Sequence, residues 1–409
     1  MTVSHCRICQ GTDLGRFLSL GSTPLANRFL TEAQLDEPEP EYPLDVLFCR
    51  ACGLVQLGEV VPPEVLFRHY LYASSTSDTI PAHFARLAEE VHARFLLDAQ
   101  SLVVEVASND GCLLRAVKAL GVRVLGVEPA TNLARVAGEA GIETVNEFFS
   151  EATAKSLLAD YGPARVIIAN NVLAHVDDLG DFVRGLFTLL EDDGTVVIEA
   201  PYLMDLLDKT EFDTIYHEHL SYFAVAPLVR LFDRFGMRLF DLRQVGVHGG
   251  SLRLYVKKTL ASPQASPEVG RLLSQEKARR LDQFETYAGF AARVERVRER
   301  LTTLIARFKA EGCRLAAYGA PAKGNTLLNY CKIGREHLEY TVDKSPLKQG
   351  LYTPGRHLQV YPPERLLMDR PDYTVLLAWN FAEEILQQQQ AYTAQGGRFI
   401  IPIPEPRVV

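Results

Sequence analysis

Between about residues 80 and 260, short runs of β-branched and aliphatic residues alternate with amphipathic stretches. This is the pattern of a mostly parallel sheet covered by helices on both faces. The first run, SLVVEVASNDG (101–111), passes from apolar residues into a small, polar, glycine-ended turn, and a helix is expected from about Cys112. VRVLGVEPA (122–130), ARVIIANNVLAHVDDL (164–179) and DGTVVIEAPY (193–202) predict further strands, and MRLFDLRQVGV and GSLRLYVKK, joined around His248-Gly249-Gly250, predict a hairpin. From Pro267 to Glu311 alternating charges on a helical period predict one long, solvated bridging helix. Beyond it, CRLAAYGAPAKGNTLLNY reads as strand, glycine-bounded loop and helix, and YTVDKSP, YTVLLAWN and RFIIPIP complete a second, smaller parallel sheet. The expected division is therefore 1–70, 71–265, a bridging helix over 266–311, and 312–409.

Composition narrows the class. With 409 residues and 47% hydrophobic content the chain can bury two or three cores. No apolar run reaches the ~18 residues that span a membrane, and the N-terminus lacks the pattern of a signal peptide, so the cytoplasm is the expected location. A formal net charge of −8 without a basic, aromatic-rich stripe argues against nucleic acid as a partner. Nothing points to an obligate protein partner, and a monomer is the simplest expectation.

Four of the seven cysteines fall in two C-x2-C pairs, Cys6/Cys9 in CRICQG and Cys49/Cys52 in FCRACGL. This spacing suits tetrahedral zinc, and a site of four thiolates has no open position for substrate, so a structural ion that staples the N-terminal segment is expected. Cys112, Cys313 and Cys331 are scattered and read as small buried hydrophobes.

The glycine-ended turn after the first strand and an acid about twenty residues further on, Glu128, are the marks of an adenosine cofactor whose ribose hydroxyls a carboxylate accepts. NAD and S-adenosylmethionine (AdoMet) share this pairing. AdoMet fits better: the G-x-G-x-x-G that admits a pyrophosphate is absent, and Asn109 and Asp110 suit a sulfonium. The cofactor residues are expected to be Glu105, Ala107, Asn109, Asp110, Gly111 and Glu128, with Asn170 and Asn171 at the end of a later strand. His175 follows them, where ligands of open α/β sheets collect.

TIYHEHLSYF (214–223) concentrates two histidines, a glutamate and two tyrosines. His217 and His219 are two residues apart, unlike the four-residue spacing of helical metal pairs, so proton transfer is the favoured role. The alternative is a loop whose polar groups satisfy one another. An irregular loop is needed for His219 and Glu218 to reach one ligand, since adjacent strand residues face opposite sides. Tyr222, with His248 and Arg253 on the hairpin, is a candidate for the same rim, and Lys323 and Asn325 mark a phosphate-suited loop in the last hundred residues.

The order CRICQG, FCRACGLVQL, YLYASSTS, VVEVASNDG, VLGVEPA, ANNVLAHV, IYHEHLSYF, HGGSLR and YGAPAKGNTLLNY resembles the zinc-containing sugar C-methyltransferases that branch nucleotide-linked deoxysugars, nearly end to end. The resemblance implies an α/β chain with an N-terminal zinc-binding module, a central Rossmann-like class I methyltransferase domain and a smaller C-terminal Rossmann-like domain that grips a nucleotide sugar. It implies AdoMet as cofactor and a dTDP-linked 4-keto deoxysugar as acceptor. It also implies His219 as base, Tyr72, His175, Tyr216 and Glu218 around the sugar, and Asp110 and Glu128 beside the cofactor. Methylation at C3 is favoured on resemblance, with C5 flanking the same ketone. Two other readings remain: a two-domain NAD-dependent nucleotide-sugar dehydrogenase, and a non-enzymatic zinc-stabilised nucleotide-sugar-binding module.

Overall fold

The computed structural model describes residues 1–76, 79–247, 249–261 and 264–409, with the backbone alone at Thr76. Its first sheet is antiparallel, in the order β1 (Leu14–Thr23), β2 (Tyr42–Cys49), β3 (Val55–Leu57) and β9 (Ser221–Tyr222). Strand β2 buries Leu44, Val46 and Phe48 on one face, the two-residue period of a half-covered strand. Strand β9 comes from the TIYHEHLSYF segment, which thereby completes the sheet of the cysteine-bearing module.

The central sheet runs β10–β11–β8–β7–β4–β5–β6. Strands β4 (Leu102–Val106), β5 (Arg123–Val127), β6 (Thr144–Val145), β7 (Ala164–Asn170) and β8 (Leu190–Pro201) are parallel. The hairpin β10 (Met237–Val245) and β11 (Ser251–Lys258) adds an antiparallel edge. Every residue of β4 is buried, as expected for a parallel strand covered on both faces. Because the chain proceeds from β4 to β5 on one side and places β7 on the other, the carboxyl end of β4 is a topological switch point, where a crevice opens.

The same logic repeats in the third sheet, β14–β13–β12–β15–β16–β17. Strands β12 (Leu315–Tyr318), β13 (Thr341–Val342), β14 (Val360–Tyr361), β15 (Tyr373–Leu376) and β16 (Arg398–Ile401) are parallel, and β17 (Arg407–Val408) is an antiparallel edge. Its switch point is at β12, followed by a short loop over 319–321 and the helix Ala322–Cys331, which carries Lys323 in its first turn.

The expected bridging helix is corrected in two ways. It is two helices, Pro267–Ala278 and Phe284–Ala310, interrupted where Arg280 takes a φ of 56°. Nor is it solvated all round. Tyr287, Phe290, Val294, Val297, Leu301, Ile305 and Phe308, three or four residues apart, form a buried stripe against the first and third sheets. Each such side chain contributes about 1.5–3 kcal/mol on burial, so this helix cements the modules together.

Candidate active site

The two switch points face one cavity of about 790 Å³. The central sheet contributes Glu105, Ala107, Ser108, Asn109, Glu128, Asn170, Asn171 and His175 to its wall; Tyr216 and His219 come from the loop before β9, and Lys323, Lys344 and Lys348 from the third unit.

On the central side, Ala107, Asn109 and Asn171 have positive φ values of 57°, 53° and 54°, which fold the strand ends back and open the crevice. The Glu128 carboxylate accepts from the Asn109 N–H at 2.7 Å and the Ala130 N–H at 2.8 Å. Burial raises its pKa while those two donors pull it down. Burial, then the charges of Glu128 and Asp110, hold Glu105 well above the usual carboxylate range. Glu105 Oε2, Ser108 Oγ, both polar atoms of the Asn170 side chain and Asn171 Oδ1 are buried without a hydrogen-bond partner among the described residues. Buried polar groups are rarely left unpaired, and these fit a polar adenosine-type cofactor carrying hydroxyl and amino groups. Asp110 and Gly111 do not line the cavity. Asp110 accepts from Ser75 N at 3.0 Å and Cys112 N at 3.3 Å, and Asn109 binds Ser74 N and the Tyr72 carbonyl, so the turn holds the segment that brings Tyr72 to the wall.

The TIYHEHLSYF cluster separates into two pairs. His219 and Tyr216 face the cavity. His219 Nδ1 lies 2.7 Å from the Thr214 carbonyl, which can only accept, so the proton is on Nδ1 and Nε2 accepts from the Tyr216 hydroxyl at 2.9 Å. The His219 ring stacks on His175 at 5.1 Å, and His175 on Phe67 at 5.3 Å. Burial, then the neighbouring His219, hold His175 well below the ordinary imidazole range, so it stays neutral. His217 instead packs edge-on against Tyr42, its Nε2 donating to the Tyr42 and Pro43 carbonyls at 3.2 and 3.3 Å. Glu218 is off the wall too: its oxygens accept from Asn27 Nδ2 at 2.7 Å and the Tyr70 hydroxyl at 2.8 Å, and those two partners line the cavity in its place. Burial pushes Glu218 up to about 7 against these two donors. Glu218 and His219 were expected to reach one ligand together; His219 lines the cavity and Glu218 does not.

Other expected residues are placed outside the wall. Tyr222 lies behind His219, edge-on at 6.5 Å. Arg253 is turned into the sheet, paired with Glu199 and Glu90. Asn325 donates to the Ala26 carbonyl at 2.7 Å and so anchors the loop that presents Asn27. His248 is outside the described residues. Lys323 lines the cavity, bonded to Asn380 and 4.8 Å above the Trp379 ring. Burial lowers its pKa, opposed by Asp213 and Glu211. Asn27, Tyr70, Lys344 and Lys348 were not anticipated. Tyr70 had a faint signal in its place two residues before Tyr72; the others belong to loops that only the packing of three modules brings to one wall.

Outside the cavity wall, the sulfurs of Cys6, Cys9, Cys49 and Cys52 all lie within 4.8 Å of one another. A tetrahedral ion with Zn–S of about 2.3 Å sets sulfurs about 3.8 Å apart, so the cage fits zinc. Without a cation the thiols cannot all ionise: Cys6 is lowered to about 5 by its bond to Cys52, and burial raises Cys49 to about 11. The Gly11 N–H points at Cys9 Sγ from 3.4 Å, the support expected of a ligand turn.

A Rossmann-like α/β enzyme with a separate four-cysteine zinc module is the class these features define. Residues 6–67 match the family model described as "Putative zinc binding domain", 81–242 a "Methyltransferase domain", and 246–404 a "C-methyltransferase C-terminal domain". The chain is 39% identical over 407 residues to the C-methyltransferase NovU of Streptomyces niveus, covering 100% of this chain and 97% of that protein. It belongs to the family of these zinc-binding, AdoMet-dependent C-methyltransferases. Among solved structures, a SAM-dependent methyltransferase from Anabaena variabilis ATCC 29413 aligns with 44% of this chain and 85% of its own at 12% identity and a TM-score of 0.36. Magnesium protoporphyrin IX methyltransferase from Synechocystis PCC 6803 with bound SAH aligns with 43% and 81% at 14% and 0.34. Among the described residues no helix is long and apolar enough to cross a membrane.

Proposed function

We propose that this C-methyltransferase methylates a carbon flanking the ketone of a dTDP-linked 4-keto deoxysugar, a small-molecule substrate, with C3 the position the family resemblance implies. The observation that carries the reading is the His219–Tyr216 pair on a wall shared by both switch points. A carbon beside a ketone is acidic enough for an enzyme to deprotonate when the enolate oxygen is stabilised. When substrate binds, the Tyr216 hydroxyl turns from Nε2 to the ketone oxygen and frees the single Nε2 lone pair. His219 Nε2 then takes the proton of that carbon, and the electron pair moves into the enolate, whose oxygen accepts from the Tyr216 hydroxyl. Neutral His175 is a second donor in reach of the same region. Bound AdoMet supplies the electrophilic methyl group, for which Glu128 would hold the ribose and Asn170 and Asn171 the polar edge. Lys323, Lys344 and Lys348 supply local cations for the diphosphate on a chain of net negative charge.

The test is direct. Purified protein, AdoMet and a dTDP-4-keto-6-deoxy sugar should yield a product one methylene heavier, and its NMR spectrum shows whether the new methyl is on C3 or C5. A methyl group on an oxygen, or turnover with NAD instead, would overturn the reading.

Two substitutions should separate the ligands. Glu128→Ala should weaken AdoMet by roughly 1.5–3 kcal/mol, because charge-assisted hydrogen bonds to ribose are lost, and leave the nucleotide sugar nearly untouched. Lys323→Ala should do the reverse. Calorimetry that finds both ligands equally weakened in either variant would indicate unfolding and remove that residue from its site.

A further inference from the structure

We infer that Arg7, inside the Cys6–Cys9 turn, is a positioning residue for both histidines of the active site; the inference rests on the proton-abstraction reading above. Arg7 is only 6% exposed, although arginine is seldom buried without a reason. Its backbone N–H donates to Gln56 Oε1 at 2.9 Å, and Gln56 Nε2 donates to the His5 carbonyl at 3.0 Å, so the metal turn is already tied to β3 without the guanidinium. The guanidinium reaches elsewhere. Nη1 donates to the Leu57 carbonyl at 3.1 Å and the Leu220 carbonyl at 3.2 Å, and Nε to Asp177 Oδ1 at 3.0 Å.

Leu220 follows His219 directly, and Asp177 is two residues beyond His175. One planar group therefore bonds to the chain segments of both stacked imidazoles. The Leu220 carbonyl also accepts the Leu57 N–H at 2.9 Å, and β3 pairs with β9 at Gln56↔Ser221 and Val55↔Tyr222, so the His219 segment is registered against the metal module by backbone and side chain together. A rigid fork with donors in fixed directions can satisfy three acceptors at once; a lysine ammonium on a flexible stem cannot hold the same span. Misplacing a base by about 1 Å can cost on the order of a hundredfold in rate.

The experiment is substrate proton exchange in heavy water with S-adenosylhomocysteine bound, expressed per cofactor-binding site so that loss of folded protein does not enter. Arg7→Lys should keep one zinc per chain and full cofactor stoichiometry, yet exchange at least about tenfold more slowly per site. Asp177→Asn, which loosens the His175 arm alone, should fall between the two. Wild-type exchange per site in Arg7→Lys overturns the inference. If the wild-type protein itself exchanges no proton, the proposed function fails separately. The imidazole 15N shifts then decide for Arg7: shifts of His175 and His219 that move in Arg7→Lys support it, and unchanged shifts overturn it.

Discussion

In heavy water, with S-adenosylhomocysteine in place of AdoMet and a dTDP-4-keto-6-deoxy sugar supplied, the wild-type protein is expected to exchange the proton on the carbon to be methylated, and His219→Ala is not. The carbonyl of Thr214 fixes the proton on His219 Nδ1 and leaves Nε2 as the basic atom beside the Tyr216 hydroxyl. Removing a positioned general base costs about 10²–10⁴-fold, so both exchange and methyl transfer should drop by at least that range. Ligand binding should stay within about tenfold, because a base acts mainly in the transition state. His217→Asn should be mild, since that ring serves two carbonyls of β2 and no cavity atom. Tyr216→Phe and Glu218→Gln should lie between. The first loses the enolate donor, and the second disturbs the Asn27 and Tyr70 side chains that Glu218 holds at the wall. An enzyme-free control accounts for spontaneous enolisation. Exchange at the wild-type rate in His219→Ala would pass the role of base to a neighbour on the same wall.

The second large effect is expected from Cys49→Ser. The wild-type chain should carry one zinc, and the variant should lose most of it, because a structural tetrathiolate site contributes on the order of 10 kcal/mol to the folding of its segment. Residues before about 60 should open to protease, and the melting temperature should fall. The consequence extends to catalysis: the metal turns hold β3, β3 pairs with β9, and β9 follows His219. Exchange should therefore decline together with zinc content, although no cysteine of the cage touches the cavity. Elemental analysis that finds no zinc in the wild-type protein, or full occupancy in the Ser variant, would contradict this account.

What the chain states locally is legible in the sequence alone. Four thiols in two tight turns can serve one tetrahedral ion, and an apolar run ending in a small polar turn with an acid beyond the next strand can build one half of a Rossmann-like crevice, because each depends on residues close together in the sequence. The same holds for the parallel strands, whose largely apolar character, broken in β4 only by Glu105, follows from burial on both faces. The helix Phe284–Ala310 departs from its sequence pattern for the complementary reason. Its charges are as dense as those of a solvated helix, and only the position of its apolar stripe against two sheets shows that it is a core element.

The division of labour within TIYHEHLSYF was beyond sequence reasoning. Neighbouring residues of similar chemistry went to opposite fates: Glu218 to Asn27 and Tyr70, His217 to the carbonyls of β2, and Tyr216 and His219 to the wall. In an irregular loop no period fixes where a side chain points, and the partners that fix it here lie as far as 191 residues away in the chain. Local chemistry thus determined that this protein has a metal turn, an adenosine-type crevice and a loop dense in titratable side chains. Only tertiary packing, by closing three modules on one cavity, decided which of those groups face a ligand and which hold the others in place.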